Sequence, residues 1–404
     1  MVRIKRDELG AVAACVLAGA VLAHPATALN AADNVYLTGV PDYRWYGGCY
    51  GTCTGNLIGY WDRHGFPDFY TGPTAGGVAP LEDYGAHEQI QGLWTSKAGR
   101  DGRPGDRPGH EDDYVVEFES TAADPYLASG NPEHAPDCIG DFIGLSQKKW
   151  VNMAGECDGN IDGYTFIYWD RTGVRRVNYR PDETAGLPPI DVQSGLRDWA
   201  RYCGYHADTF TQLADFNPEI TGPGTGFTFA DVRAEIDAGY PLIVHMQGRN
   251  SYRRVMGDML RANPEIHAML IYGYYVVNGK EYARLRTSWG SGDTVLHEWQ
   301  DISWVGQSLP VRGVLSFRPR PQIVASERSG DQLTLRWVGP DAEVYDATAG
   351  ETRKAHWYVV ERASVLAPDR FSEVSAPTTA REWVGNDCCP GDVFYRIKLA
   401  PSPR

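Results

Sequence analysis

Cys49 and His267 are the two side chains whose types and surroundings suit covalent chemistry. The cysteine sits in Trp45-Tyr46-Gly47-Gly48-Cys49-Tyr50-Gly51-Thr52-Cys53, a glycine-rich stretch that runs into the apolar segment Leu57-Ile58-Gly59-Tyr60-Trp61-Asp62. A free thiol has a pKa of roughly 8.5 and is mostly protonated at neutral pH. A helix start lowers that value, because its unpaired N–H groups favour the thiolate. Far downstream, His267 opens His267-Ala268-Met269-Leu270-Ile271-Tyr272-Gly273-Tyr274, and Thr287-Ser288-Trp289-Gly290 follows. An imidazole can take the thiol proton. A cysteine and a histidine distant in sequence therefore suit nucleophilic catalysis once the fold joins them.

Other residues offer weaker chemistry. Cys53, one helical turn beyond Cys49, is the alternative nucleophile. His245, in Tyr240-Pro241-Leu242-Ile243-Val244-His245-Met246, reads as a structural histidine of a buried strand. Asp158, Asn160 and Asp162 match the first half of a calcium loop, but the twelfth position is Trp169 rather than Glu, which argues against an EF-hand. His110, Asp112 and Asp113 read as a solvated turn.

The segments that must position the pair are legible from their periodicity. Residues 50 to 63 read as a helix that carries the cysteine. Asp191 to Cys203 places Val192, Leu196, Trp199 and Ala200 at helical spacing. Thr228 to Ala238 is a further helix, with Thr228 and Asp231 arranged as a capping box and Gly239 as its stop. Ala268 to Val277 and Glu281 to Thr287 read as strands joined by the Asn278-Gly279 turn. A helix early and a sheet late make an α+β domain over residues 29–318. Beyond Pro319-Arg320-Pro321, short alternating runs at 332–337, 357–362 and 393–399 suggest a small all-β sandwich over residues 319–404.

Bulk properties bound the function. Arg3, Lys5 and Arg6 precede an apolar run and Ala26-Thr27-Ala28, which is the layout of a secretory signal peptide over residues 1–28. The expected location is secreted or periplasmic. No later segment is long and apolar enough to be read as a membrane span. A net charge of −14 argues against nucleic-acid partners. Composition is globular, with 42% hydrophobic residues, and length favours two domains. Removing Cys15 with the signal peptide leaves Cys49, Cys53, Cys138, Cys157, Cys203, Cys388 and Cys389. An odd set leaves a thiol unpaired, and the other six could form three bridges.

Gly48-Cys49, Thr52 and Gly59-Tyr60-Trp61-Asp62 resemble the Gly-Cys-x-Pro-Thr…Gly-Tyr-Trp-Asp segment of bacterial cysteine peptidases related to those that cleave bacteriocin leaders, members of the papain-like superfamily. His267-Ala268-Met269 and Arg286-Thr287-Ser288-Trp289-Gly290 resemble the histidine strand and the Asn-Ser-Trp-Gly segment of papain. The C-terminal part resembles a fibronectin type III-like module, with Trp337 and Tyr395 in core positions. The resemblance implies a papain-like fold, Cys49 as nucleophile, His267 as general base, a polypeptide substrate and no cofactor. The chain departs from the pattern at three points. Thr287 stands where the family has its orienting Asn, and its hydroxyl can accept from the imidazole; Asp293 is a substitute. Tyr43 stands where the family has its oxyanion Gln, and its hydroxyl can donate, as can the Cys49 N–H. Gly51 replaces the family's Pro.

The resulting expectation is a secreted cysteine peptidase. Two alternatives accompany it: a catalytically impaired extracellular binding or adhesion protein, and a Cys–His transamidase or deamidase. Oligomeric state is not legible.

Overall fold

Helix α1 (Gly48–Arg63) forms where the cysteine segment was expected to coil, and it is buried almost all round. Such a helix belongs inside the molecule rather than on its surface. Several of its polar atoms are satisfied internally, although Asn56 Nδ2 and Trp61 Nε1 are buried without a hydrogen-bond partner among the described residues. Asn56 Oδ1 accepts the Tyr43 N–H at 2.8 Å, Asp62 Oδ2 accepts the Ala79 N–H at 2.7 Å, and Thr54 Oγ1 donates to the Tyr50 carbonyl at 2.7 Å. Gly59 lets strand β2 (Asp42–Tyr43) approach, since a Cβ there would lie 2.4 Å from the Tyr43 hydroxyl.

The computed structural model describes residues 33–43, 48–69, 78–83, 139–143, 168–169, 192–216, 226–247, 266–288, 295–304, 309–386 and 393–401. Residues 32–404 form one compact unit. Before the C-terminal part come β1 (Asp33–Leu37), β3 (Glu82–Asp83), α2 (Ile139–Ile143), β4 (Tyr168–Trp169), α3 (Val192–Tyr202), β5 (Ala207–Leu213) and α4 (Phe229–Asp237). They are followed by β6 (Leu242–Gln247), β7 (Ile266–Val277), β8 (Lys280–Arg286), β9 (Val295–Glu298), β10 (Ser303–Trp304) and β11 (Leu309–Pro319). The capping box at α4 is present, with Thr228 and Asp231 each satisfying the other's main-chain N–H. Asn278 and Gly279 both take positive φ (52° and 75°), as a tight hairpin between β7 and β8 requires.

With β14 (Glu343–Asp346) and β15 (Glu351–Lys354) from the C-terminal part, the main sheet runs β15-β14-β1-β7-β6-β11-β5-β4, with β8 and β9 added beyond β7 and β10 on β11. Strand β7 is long and changes partner along its length. Residues 266–271 pair with β6 and residues 273–276 with β1. The register against β8 slips by one between Ile271 and Gly273, so Tyr272 is the extra residue of a bulge. Gly273 is required at that switch, because a Cβ would lie 2.6 Å from the Tyr36 Cβ and 2.7 Å from the Val35 carbonyl. Helix α1 packs on β7, α3 on β5, and α4 on β7 and β1.

The chain beyond residue 319 divides in two. Strands β12 (Gln322–Ser329), β13 (Gln332–Val338) and β18 (Glu382–Asn386) make one three-stranded sheet; β16 (Trp357–Ala363), β17 (Ser372–Glu373) and β19 (Phe394–Ala400) make another. A separate core of Leu333, Leu335, Trp337, Tyr358 and Val360 lies within this part, and Tyr395 packs against it. The hairpin of β14 (Glu343–Asp346) and β15 (Glu351–Lys354) goes elsewhere. It pairs antiparallel with β1 and extends the main sheet. The fold is therefore a mixed α+β arrangement of antiparallel sheets. Among the described residues, no helix is long and apolar enough to cross a membrane.

Candidate active site

Cys49 lies in the first turn of α1, where the helix's leading N–H groups have no partner within the helix. Cys53 lies one turn further in. Both side chains are fully buried, and neither is joined in a disulfide, nor is Cys203. Cys53 and Cys203 would have been two of the six bridged cysteines, so three bridges among those six do not form. Cys138, Cys157, Cys388 and Cys389 lie outside the described residues. Burial pushes the Cys53 thiol well above its ordinary range, which keeps it protonated.

His267 is the second residue of β7 and is 2% exposed. Its Nε2 lies 3.2 Å from the Thr287 main-chain oxygen. A carbonyl oxygen can only accept, so Nε2 carries the proton in this contact and Nδ1 keeps its lone pair. Burial pushes the His267 pKa down to about 4, against an opposing pull from that carbonyl. The ring is therefore neutral near pH 7, as a base must be before it acts.

The expected hydroxyl contact from Thr287 is replaced by this main-chain one. The neighbouring residue helps to set it. Ser288 has a φ of 69°, an uncommon conformation for a non-glycine residue, and its Oγ donates to the Ala268 carbonyl at 2.9 Å. That bond ties the end of β8 to the start of β7, beside His267. Sequence reasoning passed over Ser288, because neither its φ nor its partner has a local signature.

Two tyrosines set the direction of α1 on the sheet. The Tyr50 hydroxyl meets His245 Nδ1 at 2.8 Å, and the Tyr60 hydroxyl donates to the Gly239 carbonyl at 2.9 Å. Gly239 precedes β6, and His245 lies near its other end. Helix α1 therefore runs opposite to β6 and in the same direction as β7. Across the strands, His245 pairs with Ala268 and Met246 with His267. Cys49, the residue before Tyr50, and His267, the residue before Ala268, thus lie at the same end of the helix–sheet layer.

Tyr43 is not brought to that end. Its hydroxyl donates to the Pro80 carbonyl at 2.9 Å and packs over Gly59, ten residues along α1 from Cys49. Ten residues of helix rise about 15 Å. An oxyanion role for this hydroxyl does not fit that placement. Asp158, Asn160 and Asp162, together with His110, Asp112, Asp113, Trp289 and Asp293, lie outside the described residues. Among the described residues, no group of three or more His, Cys, Asp or Glu side chains gathers as a metal site would require.

No protein-family model matches the chain, and no solved structure does. Part of it is similar to a cysteine protease. That protein, from Blomia tropicalis, is 30% identical over 147 residues, which are 34% of this chain and 39% of the relative. The chain thus spans about two fifths of the length of the curated relative that it matches.

Proposed function

We propose that this protein is an extracytoplasmic cysteine peptidase of papain-like design, with Cys49 as nucleophile and His267 as base. The observation that carries the proposal is the common end reached by the starts of α1 and β7, with a neutral His267 whose Nε2 is already engaged. The likeness to a cysteine protease supports the same chemistry. Location rests on the signal-peptide layout of residues 1–28, and the C-terminal sheets serve as an accessory β-sandwich.

In this reading Nδ1 of His267 removes the Cys49 proton, and the thiolate attacks the carbonyl carbon of a peptide bond. The Cys49 N–H supports the oxyanion that forms. The imidazolium then gives its proton to the departing amine as the C–N bond breaks. Water hydrolyses the thioester, His267 taking and returning the proton. Thr287, through its carbonyl, holds the ring and its tautomer throughout. Cys49 is preferred to Cys53 because it lies in the first turn of α1, beside the helix's leading N–H groups, while Cys53 lies a turn further in.

Hydrolysis of a denatured polypeptide by the reduced full-length chain tests this assignment. Cys49→Ala and His267→Ala should each abolish cleavage while circular dichroism stays unchanged; Cys53→Ala should retain it. Full cleavage by Cys49→Ala removes the nucleophile assignment, and loss of cleavage only in Cys53→Ala transfers it.

A further inference from the structure

Two buried tyrosine hydroxyls pin α1 to the β6 region, ten residues apart along the helix. Tyr60, at the far end, reaches the Gly239 carbonyl in the turn that leads into β6. Tyr50, in the first turn, reaches the side chain of His245 within β6. The two contacts resemble each other in chemistry but differ in what stands beside them. Tyr50 follows Cys49 directly. His245 is the cross-strand partner of Ala268, which follows His267. The hydrogen bond thus joins the neighbour of the proposed nucleophile to the strand position beside the proposed base.

We propose that the Tyr50–His245 hydrogen bond is a positioning element that holds the first turn of α1, and with it Cys49, in fixed register with the start of β7. This inference rests on the Cys49–His267 reading and adds two residues to it. Neither residue is assigned contact with reacting atoms. Tyr50 is 0% exposed and His245 1% exposed, so water cannot replace either partner if the bond is lost. The rings also stack, with centroids 5.4 Å apart and planes at 23°, which restricts sliding of the helix start along the strand. Burial and the Arg312 charge hold His245 neutral down to about pH 3, so the ring keeps one N–H and one lone pair through the acid range and its contact with the Tyr50 hydroxyl is not lost to protonation. A displacement of about 1 Å at such a site costs on the order of a hundredfold in rate. One lost hydrogen bond at the cysteine end therefore matters more than its stability contribution suggests.

Tyr60 supplies the control. The experiment measures the rate of Cys49 alkylation by iodoacetamide across pH, together with kcat/KM on a polypeptide and the urea midpoint, in the reduced full-length chain. Tyr50→Phe should slow alkylation at pH 6 by about 10- to 100-fold and raise the apparent thiol pKa of the profile. Tyr60→Phe, with a similar drop in urea midpoint, should leave alkylation within about twofold of the parent, because the helix start stays pinned. His245→Asn keeps a side-chain amide that can accept from or donate to the Tyr50 hydroxyl and should retain most of the rate; His245→Leu should not. Parent-like alkylation and turnover in Tyr50→Phe overturns the inference, as does an equal loss in Tyr60→Phe. Should Tyr50→Phe fail to fold, equal rates in His245→Asn and His245→Leu overturn it instead. Full cleavage by Cys49→Ala removes the underlying reading itself. An inactive Cys49→Ala beside an unaffected Tyr50→Phe removes only the positioning role.

Discussion

His267 meets Thr287 through the main chain: Nε2 lies 3.2 Å from the Thr287 carbonyl oxygen. The atom that makes this contact is the main-chain oxygen, not the threonine hydroxyl. Thr287→Ala should keep kcat/KM within about threefold of the parent, since the carbonyl stays in place. A fall of about a hundredfold or more, in steady-state cleavage of a polypeptide, would mean that the hydroxyl carries the contact after all.

Acid should unfold the protein through its buried histidines. Burial lowers His267 to about 4 and both His245 and His356 to about 3, from ordinary values near 6.5. The unfolded chain therefore binds more protons than the folded one between these limits, and stability rises with pH there. It is fully present above about pH 6.5 and is lost as pH falls towards 4 and then 3. Three such groups give a slope approaching about 4 kcal/mol per pH unit. Urea midpoints at pH 7, 6 and 5 should fall steeply, and His356→Gln should flatten the fall. An unchanged midpoint at pH 5 would contradict the burial of these rings.

Gly59→Ala should destabilise the protein, although alanine favours an exposed helix over glycine by about 1 kcal/mol. The added Cβ would lie 2.4 Å from the Tyr43 hydroxyl and 3.0 Å from Pro41 Cγ. Overpacking of this kind costs about 1–3 kcal/mol. Tyr43→Phe in the same chain removes the colliding oxygen and should restore part of the loss. Thermal or urea unfolding reads both effects, and a stabilised Gly59→Ala would show that β2 does not sit on α1 as described.

Ending the chain at residue 320 should damage the domain that precedes it. Strand β14 covers the outer edge of β1 through Val35–Asp346, Tyr36–Tyr345 and Leu37–Val344. His64 Nδ1, just past α1, lies 3.2 Å from the Asp341 carbonyl oxygen, and His356, Ala355 and Ala342 close over Gly239. Removal leaves an open sheet edge and an uncovered helix end, so the shortened chain should show a lower urea midpoint and a tendency to aggregate. A shortened chain as stable and soluble as the whole would make the C-terminal part a free-standing module.

Much of the local structure was readable from residue patterns. Thr228 and Asp231 announced the start of α4, Asn278-Gly279 the β7–β8 hairpin, and the spacing of Val192, Leu196 and Trp199 the α3 helix, because each signal acts within a few residues. The placement of Cys49 at a helix start was legible for the same reason. Other assignments depended on contacts between distant segments. Tyr43 looked available as an oxyanion donor, yet packing on Gly59 turns its hydroxyl to Pro80. His245 looked merely structural, and its partner Tyr50 could not be named from either stretch.

The sequence by itself determined the helices α1, α3 and α4, the strands β6, β7 and β8, and where a thiol and an imidazole stand at the starts of α1 and β7. Those outcomes follow from steric preferences and apolar periodicity over a few residues. Only the tertiary structure decided that α1 runs along β6 with its cysteine end at His245, that β14–β15 leaves its neighbours for β1, and that the Thr287 carbonyl is the atom that meets His267. Each of these is a choice between surfaces and atoms far apart in the chain, settled by which arrangement buries apolar area while leaving the fewest polar groups unpaired.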